Sequence, residues 1–288
     1  MGRKREMDKK KIPVLIGVGQ LTNREKTPDQ LDPIKMMAEA SRIAARDATL
    51  DNLIKVDTLY VVNCLSRSLK NPFEGLSKEL DFIPTEKGYT GIGATAPQWF
   101  VNRAAERIYQ GSSELVLICG AEAFYTHGKL LSLHEAMLDF FTENRSRVHS
   151  SYVGDMRVPF SVLEGQYGLV MPLTMYSLME NALRAHWNMS IEDHFLELCS
   201  FCAQFSEIAS RNPFAWTRNV RTAAEIGSLN ETNRMVASPY TKLMCSNITV
   251  NQAAALIMTN LAKAEALGIP KDNRLSLTFS TGCQNLSQ

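Results

Sequence analysis

Between Gly88 and Ala96 the chain reads Gly-Tyr-Thr-Gly-Ile-Gly-Ala-Thr-Ala, then passes directly into Pro97 and a helical spacing of apolar residues: Trp99, Val101, Ala104, Ala105 and Ile108. Small residues let a ligand approach the backbone, and the first N–H groups of a helix have no partner within it. The turn is therefore expected to be an anion or oxyanion site. Gly91, Gly93 and Ala96 also fit the G-x-G-x-x-A dinucleotide pattern. No apolar strand is expected immediately before the turn, however, and the next strand, Leu115 to Cys119, ends on Gly120 rather than on an acid. Dinucleotide binding is the weaker reading.

Six cysteines (Cys64, Cys119, Cys199, Cys202, Cys245 and Cys283) are scattered, most of them within apolar segments. That usage predicts reduced thiols and a cytoplasmic protein. Cys199 and Cys202 have metal or redox spacing, but they share a helical pattern with Leu196, Phe205 and Ile208 and have no second pair. They are expected to pack. His127, His134, His149, His186 and His194 lie in one polar, loop-rich stretch, and none is singled out as a general base.

Stepping out from the turn, Pro13 to Gly19 is a short apolar run expected to form a buried strand. A helix follows, with Asp32 as N-cap and Pro33 at its first position. Val56 to Val62 is a second strand and Asn71 to Leu80 a short helix. The turn-and-helix then leads to the strand at Leu115 to Cys119. This alternation implies right-handed crossovers and a mainly parallel sheet. The expected segments are a disordered basic tail at 1–12, the first part of an α/β domain at 13–123 and a helical/loop insertion at 124–240. A closing strand and helix follow at 241–275, and an irregular end at 276–288. Within the insertion, Ser190 to Asp193 is read as a capping box.

A chain of 288 residues, 45% hydrophobic and 21% charged, can bury a large core without disulfides or a structural metal. Its net charge of +1 gives no electrostatic basis for nucleic acid or an anionic membrane as the main partner. There is no run of 18 apolar residues to span a bilayer. No cofactor and no metal are expected.

A longer pattern is more specific. Asn102-Arg-Ala-Ala-Glu-Arg-Ile-Tyr-Gln-Gly111 followed by Glu114-Leu-Val-Leu-Ile-Cys-Gly-Ala-Glu122 resembles the thiolase segment in which the nucleophile helix is followed by a strand ending in "GG.E". Val14 to Gln20, Tyr176 to Ala182 with Ser190 to Asp193, and Asn251 to Met258 resemble further thiolase pieces in family order. The likeness spans residues 13 to 275 and is nearest to sterol-carrier-protein-type thiolases and acetyl-CoA acetyltransferase-like proteins. It implies a thiolase-like N-terminal domain: a mixed, mostly parallel five-stranded sheet with helices on both faces and a helical/loop insertion.

The resemblance also implies a role in lipid metabolism, with acyl-CoA as substrate or ligand. In thiolases a Cys at the helix N-terminus attacks the thioester; counting back from Gly111, that position is Ala94, so no catalytic residue is assigned. Gly93, Ala94, Thr95, Ser246 and Asn247 are the expected substrate-binding residues. Thiolases take their proton-transfer His and second Cys from a second copy of the fold that this chain does not contain. The readings are a thiolase-family protein without standard Cys-dependent thiolysis or condensation, a non-catalytic acyl-CoA-binding or scaffold subunit paired with a separate chain, or a truncated product, as the unpatterned 280–288 suggests. The expected partners are a second copy, as a dimer or other homo-oligomer, or a complementary C-terminal half.

Overall fold

The computed structural model describes residues 8–25, 32–51, 53, 55–67, 69, 71–91, 93–127, 152–154 and 160–277. The chain forms two compact units. Unit 1 falls within Met1–Met156 and Thr249–Gln288, and unit 2 is Arg157–Ile248.

Unit 1 is built on a seven-stranded sheet. Its long strands are β1 (Pro13–Thr22), β2 (Thr58–Val61), β3 (Glu86–Thr90), β4 (Leu115–Ala123) and β8 (Asn251–Asn260). The two-residue strands β5 (Tyr152–Val153) and β9 (Leu275–Ser276) extend its edges, giving the order β5-β3-β2-β4-β8-β1-β9. Strand β2 pairs parallel with both β3 and β4, and β5 is parallel to β3; β8 runs antiparallel to β4 and β1. This is the expected mixed, mostly parallel sheet of five main strands. Strand β3 departs from expectation. Its sequence, Glu-Lys-Gly-Tyr-Thr, carries little apolar signal because Lys87 is exposed and Gly88 contributes no side chain. A Cβ at Gly88 would lie 2.7 Å from the Tyr60 ring, so the strand surrenders a side chain to let that ring lie flat.

Strand alternation feeds two cores. Val14, Ile16, Leu59, Val61, Leu117, Cys119, Ala255 and Ile257 face helices α1 (Pro33–Asp47) and α2 (Pro72–Leu80). Tyr60, Val116, Ile118 and Met258 face helix α3 (Ala96–Gln110), where Tyr60 stacks on Phe100 with ring centroids 4.5 Å apart. Helix α1 is capped by Asp32, whose carboxylate accepts from the Ile34 N–H at 2.8 Å, with Pro33 in the first turn. It lies close against β1: a Cβ at Gly17 would be 2.3 Å from the Ala44 carbonyl oxygen, and one at Gly19 would be 2.0 Å from that of Ala40. A register shift between Leu15 and Gly17 turns both glycines toward α1. Strand β4 runs on into the single helical turn α4 (Phe124–His127), tied to the start of β8 by the Thr126 N–H donating to Asn251 Oδ1 at 3.1 Å.

Residues 1–7 of the expected basic tail lie outside the described residues. Lys9–Lys11, by contrast, form a 3₁₀ turn, with Lys9 paired to Glu265 at 2.9 Å and the Ile12 carbonyl accepting from the Leu261 N–H. The described part of the tail is held by contacts distant in sequence, which composition does not reveal. The unpatterned stretch 278–288 is likewise outside the description.

Unit 2 contains α5 (Val162–Gln166), α6 (Pro172–His186), α7 (Ile191–Arg211), α8 (Ala223–Gly227) and the small β6–β7 ladder, Met235–Ala237 with Tyr240–Thr241. Ser190 caps α7 by accepting from the Asp193 N–H at 3.0 Å, yet its box is incomplete. The shorter Asp side chain bonds the Ser190 hydroxyl instead of reaching back to the N-cap backbone. Reciprocal boxes occur at Ser161 with Glu164 and Thr222 with Glu225, where bonds from the N-cap backbone and hydroxyl hold both carboxyls below their ordinary pKa.

Candidate functional site

The turn after β3 lies beyond the carboxyl ends of three parallel strands, β3, β2 and β4, the edge at which open α/β sheets bind ligands. Gly93, Ala94 and Thr95 are all exposed there. Thr95 is the N-cap of α3 in a helical conformation (φ −83°, ψ −9°) and its hydroxyl makes no capping bond. The turn closes by the Ala96 N–H donating to the Gly93 carbonyl at 3.1 Å, and Pro97 has no N–H to offer. Two of the first helical positions are thus spent, and the N–H groups left to an incoming oxygen are those of Ala94 and Thr95 in the turn and of Gln98 in the first helical turn. Among the described residues, no atom other than those of its chain neighbours comes within 4 Å of a Cβ built on Gly93, so packing there does not require its smallness.

Behind the turn, the polar residues that follow β2 are tied to β3 and β4. The Glu122 carboxylate accepts from the Leu65 and Ser66 N–H groups at 2.7 and 2.8 Å, and the Ser66 hydroxyl accepts from the Ala123 N–H at 2.8 Å. Asn63 donates its backbone N–H to the Thr90 hydroxyl at 3.3 Å and accepts the Tyr89 phenol on Oδ1 at 2.6 Å. Its Nδ2 is buried with no acceptor. An amide left with an unpaired donor at a sheet edge is a feature that sequence reasoning misses; the available signal is a polar residue immediately after the apolar β2.

Both cysteines described in unit 1 are buried. Cys64 sits beside Glu122, and burial first, then that carboxylate, push its thiol up to about 12. Cys119 lies within the core beneath α1, where burial pushes it up to about 12 as well. Neither supplies appreciable thiolate near neutral pH. In unit 2, burial raises Cys199, Cys202 and Cys245. Cys199 and Cys202 lie in the middle of α7 rather than at its start, with Cys199 and Phe195 both packed against Gly227.

The sequence-predicted residues fall into separate units. Gly93, Ala94 and Thr95 belong to unit 1, whereas Ser246 and Asn247 belong to unit 2, where both are exposed just after the 3₁₀ turn Lys242–Met244. Among the histidines, His127 and His186 are exposed. His194 is buried between α6 and α7, its Nε2 2.9 Å from Glu180, which also accepts the Tyr240 phenol at 2.7 Å. Burial and the Glu180 carboxylate raise the Tyr240 pKa, so this trio cross-links unit 2 as a neutral phenol on an acceptor. His134 and His149 lie outside the described residues.

No family model matches the chain, and no curated protein does. Solved structures do. A monomeric SCP2-thiolase-like protein, type 1, from Mycobacterium smegmatis is 25% identical with a TM-score of 0.72, covering 92% of this chain and 49% of that one. An Ltp2–ChsH2(DUF35) aldolase gives 17% identity and a TM-score of 0.58, over 88% of this chain and 57% of that one. An acetyl-CoA acetyltransferase from Syntrophomonas wolfei gives 15% and 0.52, over 90% and 67%. The chain therefore has a thiolase-like fold and spans about half the length of the SCP2-thiolase-like protein it resembles.

Proposed function

We propose that this protein handles acyl-CoA thioesters in lipid metabolism, by binding them at the turn that opens α3, and that it does not carry out Cys-dependent thiolysis or condensation. The observation that carries this reading is Ala94, exposed at the centre of a Gly-rich turn beyond the carboxyl ends of β3, β2 and β4. A methyl group cannot attack a thioester. Backbone N–H groups at that turn can still receive its carbonyl oxygen, as preorganised donors do for an oxyanion. Gly93 and Thr95 flank the position. Ser246 and Asn247 are proposed to contact the pantetheine arm.

Two supports come from the similar structures. One is an acetyl-CoA acetyltransferase and another is SCP2-thiolase-like, which makes thioester chemistry a precedent on this fold. The aldolase is named with two components, Ltp2 and ChsH2(DUF35), which favours a partner chain for this protein too. Calorimetric titration with CoA and acetoacetyl-CoA tests the proposal. Saturable heat with acetoacetyl-CoA is expected, and its absence at millimolar ligand would refute it.

A further inference from the structure

Unit 2 holds three of the five described cysteines, and two of these are only half-buried: Cys202 on α7 and Cys245 just after the 3₁₀ turn Lys242–Met244. The contacts around them bring both thiols to one place. Phe195, Cys199, Cys202 and Ser206 follow one another at spacings of four, three and four, so they share a face of α7. That face lies along the segment 221–227. Cys199 and Phe195 pack against Gly227 at one end of it, and at the other the Ser206 hydroxyl accepts from the Arg221 N–H at 2.9 Å. Cys202 falls between these two contacts, about one helical turn from each.

Cys245 reaches the same segment through Thr241. The Thr241 hydroxyl donates to the Ile226 carbonyl at 3.0 Å, next to Gly227, and the Cys245 thiol donates to the Thr241 carbonyl at 3.2 Å. The Tyr240 phenol gives a second tie to α7, because the Glu180 carboxylate that accepts it also holds His194. His194, Leu198 and Cys202 are spaced by fours, so Cys202 lies where the row facing Gly227 meets the row facing Tyr240. Cys202 is within electrostatic reach of Cys245, and Tyr240 is within reach of both thiols. The two thiols are not equivalent. Burial disfavours the Cys245 thiolate, and the Arg234 guanidinium partly offsets it; at Cys202 burial and then Cys245 both oppose ionisation. Cys245 is therefore the better nucleophile and Cys202 the resolving thiol.

We infer that Cys202 and Cys245 are a reversible redox pair, oxidised to a disulfide by a hydroperoxide, and that the bond controls the neighbouring Ser246 and Asn247. With hydrogen peroxide, the Cys245 thiolate attacks one oxygen: an S–O bond forms, the O–O bond breaks, and the departing hydroxide takes up a proton as water. Cys202 then attacks the sulfenic sulfur. The S–S bond forms, the S–O bond breaks, and a second water leaves with the Cys202 proton. Sulfur is oxidised, peroxide oxygen is reduced, and a thiol reductant reverses the change. Forming the bond takes the Cys245 thiol from the Thr241 carbonyl and loosens the turn that leads into the exposed Ser246 and Asn247. The control rests on the pantetheine contact proposed for those two residues; the bond itself does not.

Treating the reduced full chain with hydrogen peroxide, blocking the remaining thiols and mapping the products by mass spectrometry tests the inference. A cross-link between Cys202 and Cys245 is expected, reversed by dithiothreitol. It should be absent from Cys202→Ser and from Cys245→Ser, and retained in Cys199→Ser and Cys283→Ser. Serine keeps a donor for the Thr241 carbonyl, so Cys245→Ser should fold as the wild type does. By calorimetry the linked protein should bind acetoacetyl-CoA at least about fivefold more weakly than the reduced protein. No link in the wild type, or a link that survives Cys202→Ser, overturns the inference. A link that leaves the affinity unchanged overturns the control. A link in a chain that binds no acetoacetyl-CoA in either state upholds the thiol pair and removes the acyl-CoA reading instead.

Discussion

The proposed function turns on Ala94, a methyl at the position where the thiolase resemblance implies a nucleophilic sulfur. Installing it is not expected to restore thiolysis: Ala94→Cys should give no acetoacetyl-CoA cleavage above background in a coupled assay with CoA, because a thiolase turnover also needs proton-transfer groups that no described residue is placed to provide. The new thiol should nonetheless be reactive. Native alkylation mapped by mass spectrometry should label the thiol introduced by Ala94→Cys within minutes and leave Cys64 and Cys119 unlabelled. Burial pushes both of those thiols up to about 12, so they are held protonated at pH 8. Labelling of either at a rate comparable to the introduced thiol would show that the site has a usable native nucleophile. A second residue-scale expectation concerns Glu122. Replacing its carboxylate with an amide sets an NH₂ or a weaker acceptor against the Leu65 and Ser66 N–H groups, so Glu122→Gln should lower stability by about 1–3 kcal/mol in urea unfolding.

Among the elements, legibility follows the strength of the local signal. Asp32-Pro33 announces α1 through its cap, and Gly111, at φ 75°, marks the end of α3 where only a residue without Cβ is comfortable. Strand β1 is readable from its apolar run, but the reason for Gly17 and Gly19 is not: they are dictated by α1 backbone some 20 to 30 residues away. Strand β3 is hidden for a related reason, since Gly88 answers to the Tyr60 ring on a neighbouring strand. The capping boxes show the same limit at short range. Ser190-Ile-Glu-Asp193 has the right spacing and the wrong acid, while Thr222 to Glu225 forms the reciprocal box without having been singled out. Gly19→Ala tests the closeness of α1 to β1. A methyl 2.0 Å from the Ala40 carbonyl oxygen must push the helix away, and a loss of about 1–3 kcal/mol or more is expected in thermal or urea unfolding. An unchanged midpoint would mean that the helix stands off the sheet.

Over the whole molecule, the two units differ in how they are stabilised. Unit 1 has two layers of buried side chains on its sheet, whereas Cys199 and Ile226 are the only buried hydrophobic residues among those described in unit 2. Amide hydrogens of α6 and α7 should therefore exchange well before those of β1, β4 and β8 in hydrogen-exchange mass spectrometry at dilute protein. Equal protection would indicate that unit 2 is stabilised by more than its own contacts. The thiolase-like fold is visible in sequence because its strands and their order carry it. The candidate site is only half visible, because its surroundings include polar residues such as Asn63 that have no pattern of their own. The most direct measurement of the central claim is calorimetric titration of acetoacetyl-CoA into the wild type beside Ala94→Trp, a variant that fills the turn without touching the core. The account predicts saturable binding by the wild type and at least a roughly tenfold loss in the variant at unchanged melting temperature. No heat with the wild type at millimolar ligand, or equal affinity in the two proteins, would contradict it.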